Sequence, residues 1–241
     1  MPKTALITGA SRGIGRSIAA ALYREGYSLI VTCKQSYDRL EQLRDELLSL
    51  NRTDQTITLR LCDCSNPGMV EELFGEIPSV DVLVNNAGIS MTGLLHEMSV
   101  DDWNTMISTN LSGVFYHCKY CIPLMLRKHA GHIINISSVW GAAGASMEVA
   151  YSASKGGVNT LTRALARELA PSHIQVNAIA CGLIDTDMNR HLTTEETASL
   201  IEQIPADRIG TPEDIARAVL MLLHAPSYLT GQIITVDGAW T

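Results

Sequence analysis

Short, unbroken apolar runs alternate along this chain with longer amphipathic stretches. Residues 4–8, 28–32, 57–61, 80–84, 133–136, 175–179 and 232–236 are rich in Ile, Val and Leu, and most lack a clean in/out alternation. That is the pattern of parallel strands covered on both faces. Between them, Leu40, Leu43, Leu47 and Leu50 step by three and four, and Ile14, Ile18 and Leu22 step by four. Each set marks one face of a helix. Further helices are expected over 68–76, 101–128, 152–170 and 212–224. The last opens with Pro212, Glu213 and Asp214, residues suited to a helix's first turn. Seven strands separated by six helices predict an α/β fold: one Rossmann-type, doubly wound sheet of seven parallel strands, helices on both faces and right-handed crossovers. The stretch 185–205 is the longest without a strand, and a helical flap over the site is expected there.

Composition adds bounds. No polar, Pro-rich or Gly/Ser-rich linker interrupts the 241 residues, so residues 1–241 are expected to form a single domain. The net charge of −7 comes without any Lys/Arg cluster, which argues against nucleic acid as a partner. Nowhere do eighteen apolar residues run together, and the start shows no signal-type apolar segment with a cleavage site. A soluble, cytoplasmic protein with no membrane partner is expected. Six cysteines fit a reducing compartment. Cys118 and Cys121 have C-x-x-C spacing but lie within a helical pattern with no second pair, so no metal site is expected.

A doubly wound sheet binds its ligand beyond the carboxyl ends of its strands. That rim collects Gly9–Gly15, residues 32–34, Asp63, Asn85–Gly88, Ser138 and residues 182–186. Gly9, Gly13 and Gly15 follow the first strand and open directly into the Ile14/Ile18/Leu22 helix. Glycines let the backbone turn tightly and approach a pyrophosphate, which then rests at the positive helix N-terminus. The spacing is G-x-x-x-G-x-G, neither the commonest dinucleotide fingerprint nor a P-loop. The second strand ends in Thr32-Cys33-Lys34, without the acid that would meet an unphosphorylated ribose. Arg12 and Lys34 instead offer positive charge to a 2′-phosphate, which favours NADP(H).

Tyr151 and Lys155 stand at i and i+4, one turn apart on a helical face. A phenol titrates near ~10, and a neighbouring ammonium is expected to lower that value and make the tyrosine a usable proton donor. Ser138 precedes the tyrosine by thirteen residues.

Taken in order, Thr8-Gly-x-x-x-Gly-x-Gly15, Asn85-Asn-Ala-Gly88, Asn110, Ser138 and Tyr151-x-x-x-Lys155 resemble the short-chain dehydrogenase/reductase family over essentially the whole chain. The glycine loop, Leu83–Ile89, Ile184–Met188 and Tyr228–Gly238 are most similar to bacterial 3-oxoacyl-[acyl-carrier-protein] reductases. The resemblance implies an NADPH-dependent reductase of a small or carrier-bound carbonyl, and a homotetramer joined through the 101–128 and 152–170 helices. It implies that Tyr151 donates the proton, Ser138 bonds the substrate oxygen, Lys155 holds the nicotinamide ribose, and Asn110 bends its helix and holds a water linked to Lys155. Gly9, Ser11, Arg12, Gly13, Ile14, Gly15 and Lys34 would bind the cofactor, with Asp63 at adenine. Asn86, Ala87 and Gly88 would lie beside the adenosine ribose, and Ile184 and Thr186 at the carboxamide. A nucleotide sensor that has lost its chemistry is the contrasting reading, but such a protein is expected to lack the tyrosine or lysine.

The chain departs from the family twice. Cys181 replaces the proline usual before Gly182, which loosens the turn and brings a thiol near the nicotinamide. It reads as a tolerated small residue. Trp140 and Glu148 narrow and charge the substrate entrance, which suits a cationic or amine-bearing carbonyl better than an anionic thioester. The segment from Trp140 to Val149 is similar to reductases acting on a ketone attached to a translation-factor lysine.

Overall fold

In a computed structural model, which describes residues 2–50, 54–190 and 192–241, the seven apolar runs form one parallel sheet. Its strands are β1 (Thr4–Ile7), β2 (Ser28–Cys33), β3 (Ile57–Leu61), β4 (Val82–Asn85), β5 (Gly131–Ser138), β6 (Ile174–Cys181) and β7 (Ile233–Val236). The order is β3-β2-β1-β4-β5-β6-β7, so the chain reverses its direction of travel between β1 and β4. The crevice at that reversal lies beyond the strands' carboxyl ends.

The strands read as uniformly apolar because both faces are covered. Ala5, Ile7, Val82, Val84, Ile134 and Ile136 point to one layer, against α1 (Gly13–Arg24), α2 (Tyr37–Leu48) and α9 (Pro212–His224). Leu6, Leu83, Ile133 and Val176 point to the other, against α3 (Pro67–Gly75), α5 (Gly113–Lys128) and α7 (Val149–Leu169). Cys118 and Cys121 pack inside this second layer. The apolar stripes expected from Ile18 and Leu22 and from Leu40, Leu43 and Leu47 are the buried faces of α1 and α2, whereas Leu50 is exposed.

The single helix expected over 101–128 is two helices with a defect between them. α4 (Val100–Ile107) runs into a π turn at Ser108–Ser112 before α5 begins. Asn110 lies in this turn, and its side chain bonds the Ile89 backbone as well as Met106 Sδ and Ser154 Oγ. Its Oδ1 accepts from Ile89 N at 2.9 Å and its Nδ2 donates to Ile89 O at 2.8 Å. The strand expected at 80–84 runs over Val82–Asn85, and the Asp81 side chain just before it receives the Thr4 N–H. The 185–205 stretch contains a 3-10 turn at Asp187–Asn189 and α8 (Thr194–Ile201), with His191 outside the described residues. A further short helix, α6 (Trp140–Ala143), follows β5.

Candidate active site

The loop after β1 is tied to both neighbouring strands. Thr8 N–H donates to Val84 O at 3.1 Å and Ala10 N–H to Thr32 O at 2.9 Å. The Thr8 hydroxyl oxygen accepts the N–H groups of Asn86 and Ala87, each at 3.0 Å. Asn86 Nδ2 returns bonds to the Thr8 and Gly9 carbonyls at 2.9 and 3.1 Å. The Asn86 side chain, expected beside the ribose, therefore holds the glycine loop in shape. Gly9 and Gly13 have φ of 66° and 52°, in the left-handed region. A Cβ on Gly15 would stand 2.4 Å from the Gly9 carbonyl oxygen, so loop and helix meet only through glycine.

α1 starts at Gly13 with no side-chain cap and no acid in its first turn. A helix start without a side-chain cap or an acid is suited to an anionic phosphate. Ser11 is buried in the loop, and Ile14 packs against the core. The flap crosses here: Thr186 approaches within 3.3 Å of where a Gly13 Cβ would be, and Ile184 bridges to Gly210. This cradle fits a dinucleotide.

The two cations expected to be free for a 2′-phosphate are engaged. Lys34 Nζ meets Asp63 Oδ2 at 2.7 Å, and Arg12 Nη1 lies 3.8 Å from Asp187 Oδ2. Burial works to raise the Asp63 pKa, but the bonds from Lys34 and Ser65 outweigh it and hold the carboxyl below its ordinary value. Lys34 is raised in turn, first by its hydrogen bond to Asp63.

Asn110, Ser138, Tyr151 and Lys155 reach the same rim from the π turn, the end of β5 and one face of α7. Lys155 Nζ donates to Ile136 O at 2.8 Å and stands 5.7 Å from the Tyr151 ring centroid. Gly88 lies between the machinery's two sides, since a Cβ there would be 3.3 Å from Asn110 Oδ1 and 3.6 Å from Lys155 Nζ. The Ser138 hydroxyl oxygen also accepts the Trp140 N–H at 3.2 Å, which starts α6.

The expected depression of the Tyr151 pKa is reversed in this structure. Burial raises it well above the ordinary phenol value, Cys181 adds to the rise, the bond with Ser138 opposes it, and Glu148 raises it further. The ammonium faces the ring rather than acting on the hydroxyl, and burial lowers the Lys155 pKa to about 8. Desolvation of both groups thus outweighs their mutual attraction.

Cys181 pairs in register with Ser138, and its carbonyl accepts the Val139 N–H at 3.0 Å. Burial pushes its thiol up to about 12, which favours the protonated form over the nucleophilic thiolate. At the mouth, Glu148 Oε1 accepts from Ser90 Oγ at 2.7 Å. Trp140 meets Trp240 edge-to-face, with centroids 5.0 Å apart and planes at 62°. Neither Ser90 nor Trp240 stood out in the sequence. Ser90 is only the residue after the Asn-Ala-Gly-Ile segment, and Trp240 lies beyond the last strand with no motif around it.

The chain is similar to known proteins over nearly its whole length. A short chain dehydrogenase family model matches residues 3–197. The chain is 43% identical over 240 residues to the 3-oxoacyl-[acyl-carrier-protein] reductase FabG of Staphylococcus aureus, covering 99% of this chain and 98% of that protein. It is 41% identical over 243 residues to the FabG of Salmonella typhimurium, covering 98% and 96%. Among solved structures, a putative gluconate dehydrogenase from Agrobacterium tumefaciens superposes with a TM-score of 0.94 at 33% identity, covering 99% of this chain and 95% of that one.

Proposed function

Since the chain belongs to the short-chain dehydrogenase family, we propose that this oxidoreductase reduces a ketone at the expense of NADPH, most nearly as a 3-oxoacyl-[acyl-carrier-protein] reductase does. The observation that carries this reading is the convergence of Ser138, Tyr151 and Lys155 beside an uncapped glycine-loop helix. Gly9, Ser11, Arg12, Gly13, Ile14 and Gly15 would hold the dinucleotide from one side, and Ile184 and Thr186 from the flap. When bound, the reduced nicotinamide supplies the hydride.

The protein's own groups handle the proton. Burial keeps Tyr151 protonated, which is the form a donor must have at the outset. As negative charge develops on the substrate oxygen, the Ser138 hydroxyl donates a hydrogen bond to it and the phenol transfers its proton. The Lys155 ammonium, already against the ring, then stabilises the phenolate that remains. Asn110 places the Ile89 backbone beside this group and, as in the family, would support proton return to Lys155.

A second reading of the substrate rests on Glu148. Its carboxylate lies close enough to the reacting phenol to raise the phenol's pKa, and the Trp140–Trp240 pair adds aromatic surface at the mouth. Both features favour a ketone that carries an ammonium group. We propose further that the protein works in the cytoplasm as a homotetramer, as the family resemblance implies. Phe115 and Leu126, exposed on α5, supply apolar surface for such an interface.

The test is NADPH oxidation over acetoacetyl thioesters, diketones, quinones and an aminoketone, with Tyr151→Phe in parallel. Turnover on a ketone, lost in the variant, supports the reading. Undiminished turnover in the variant, or NADH outperforming NADPH, would overturn it.

A further inference from the structure

Asp187, in the flap, gathers guanidinium groups from three elements. Its Oδ1 lies 2.7 Å from Arg190 Nη2, while its Oδ2 lies 3.2 Å from Arg39 Nη1 and 3.8 Å from Arg12 Nη1. Arg12 belongs to the glycine loop and Arg39 to the first turn of α2. α2 follows β2, the strand whose end faces the ribose 2′ position in a dinucleotide fold. Arg39 is also rooted. Its carbonyl accepts from Arg16 Nη1 at 3.3 Å, and Arg16 pairs with Glu46 at 2.6 Å.

Arg12 and Arg39 therefore converge on a single carboxylate oxygen. A phosphate monoester would satisfy them better, with up to two charges and three acceptor oxygens against one. Nothing in the sequence separation of residues 12, 39 and 187 indicates that they meet; the flap's crossing over Gly13 brings Asp187 there.

We propose that Asp187 and the cofactor's 2′-phosphate compete for Arg12 and Arg39, which makes Asp187 a determinant of selectivity between phosphorylated and unphosphorylated dinucleotides and Arg39 a second phosphate-reading arginine. The inference rests on the NADPH reading above. Asp187 acts through the arginines and is a positioning residue. Were it merely a strap for the flap, its removal would weaken both nucleotides alike.

Titration calorimetry with 2′,5′-ADP and 5′-AMP separates these cases without any turnover. Asp187→Asn is expected to tighten 2′,5′-ADP about three- to tenfold, the scale of one partly exposed charge set against two guanidiniums, and to leave 5′-AMP within about twofold. Asp187→Glu should restore the wild-type ratio. Arg39→Gln should weaken 2′,5′-ADP at least about threefold with 5′-AMP unchanged, and it keeps the test open should the Asn variant fail to fold. Equal effects on both nucleotides, or none, in these variants would overturn the competition. A wild-type protein that does not prefer 2′,5′-ADP would instead remove the NADPH reading on which it rests.

Discussion

Lys155 Nζ is held 2.8 Å from the Ile136 carbonyl oxygen and 5.7 Å from the Tyr151 ring centroid, so the ammonium sits under the phenol rather than against its oxygen. Burial makes both groups prefer their neutral forms. That has opposite consequences for stability and for rate as pH rises. Lys155 titrates at about 8 in the folded protein against an ordinary 10.5, so the unfolded chain binds more protons in between. The Lys155 contribution to stability should therefore rise from pH 8 towards 10, by on the order of 1–3 kcal/mol, as the cost of the buried charge is relieved, while the buried thiols, raised by burial, oppose it. In denaturant titrations across that window, the stability of wild type relative to Lys155→Met should rise with pH, the thiols' opposing contribution being common to both. Above pH 10 the raised Tyr151 pKa works the other way and stability falls. Meanwhile kcat/KM, which reports the free enzyme's groups, should decline as pH passes about 8 and the ammonium is lost.

Removing the phenolic hydroxyl takes away the proton donor and little else. Tyr151→Phe should lower kcat by about 10²- to 10⁴-fold with the melting temperature nearly unchanged. Ser138→Ala should cost about 10²- to 10³-fold in kcat, as loss of one oxyanion donor does. Steady-state kinetics with calorimetric melting distinguishes these losses from misfolding.

At Gly15 there is no space for a side chain, because a Cβ would meet the Gly9 carbonyl oxygen at 2.4 Å and Asn86 Nδ2 at 2.4 Å. Gly15→Ala must spread the loop from the helix. Dinucleotide affinity should fall more than about tenfold, and stability by about 1–3 kcal/mol as overpacking dictates. Fluorescence titration with NADPH checks the first and thermal melting the second.

Glu148 bears on the choice between substrates. Glu148→Gln keeps an acceptor for Ser90 Oγ but removes the charge. If an ammonium-bearing ketone is the substrate, its KM should rise about three- to tenfold while that of a neutral acetoacetyl thioester stays level or falls. Parallel shifts on both substrates would count against the charged entrance.

Much of this site was legible because its signals are local. Strand and helix periods follow from neighbours a few residues apart, and a glycine loop or an i, i+4 pair is a complete geometric statement within one element. Their positions at strand ends also placed Gly9, Asp63, Asn86 and Ser138 on one rim, since parallel strands bring every carboxyl end to the same edge. The bend at Asn110 was legible only through the family resemblance: no propensity in Ser108–Ser112 announces the π turn, and the bonds of Asn110 to Ile89 are tertiary. Lys34 and Asp63 each looked like cofactor contacts from their positions at strand ends. That they neutralise one another depends on β2 and β3 lying side by side.

Periodicity and motif order thus settled the architecture and pointed to the candidate reacting residues, because burial patterns and backbone geometry are written into adjacent positions. The electrostatic state of those residues came from long-range packing. Burial decides whether Tyr151 holds its proton, and chain reversals decide that Trp240 meets Trp140 and that Asp187 meets Arg12 and Arg39. Charge and aromatic contacts act through space, and linear separation carries no measure of that distance.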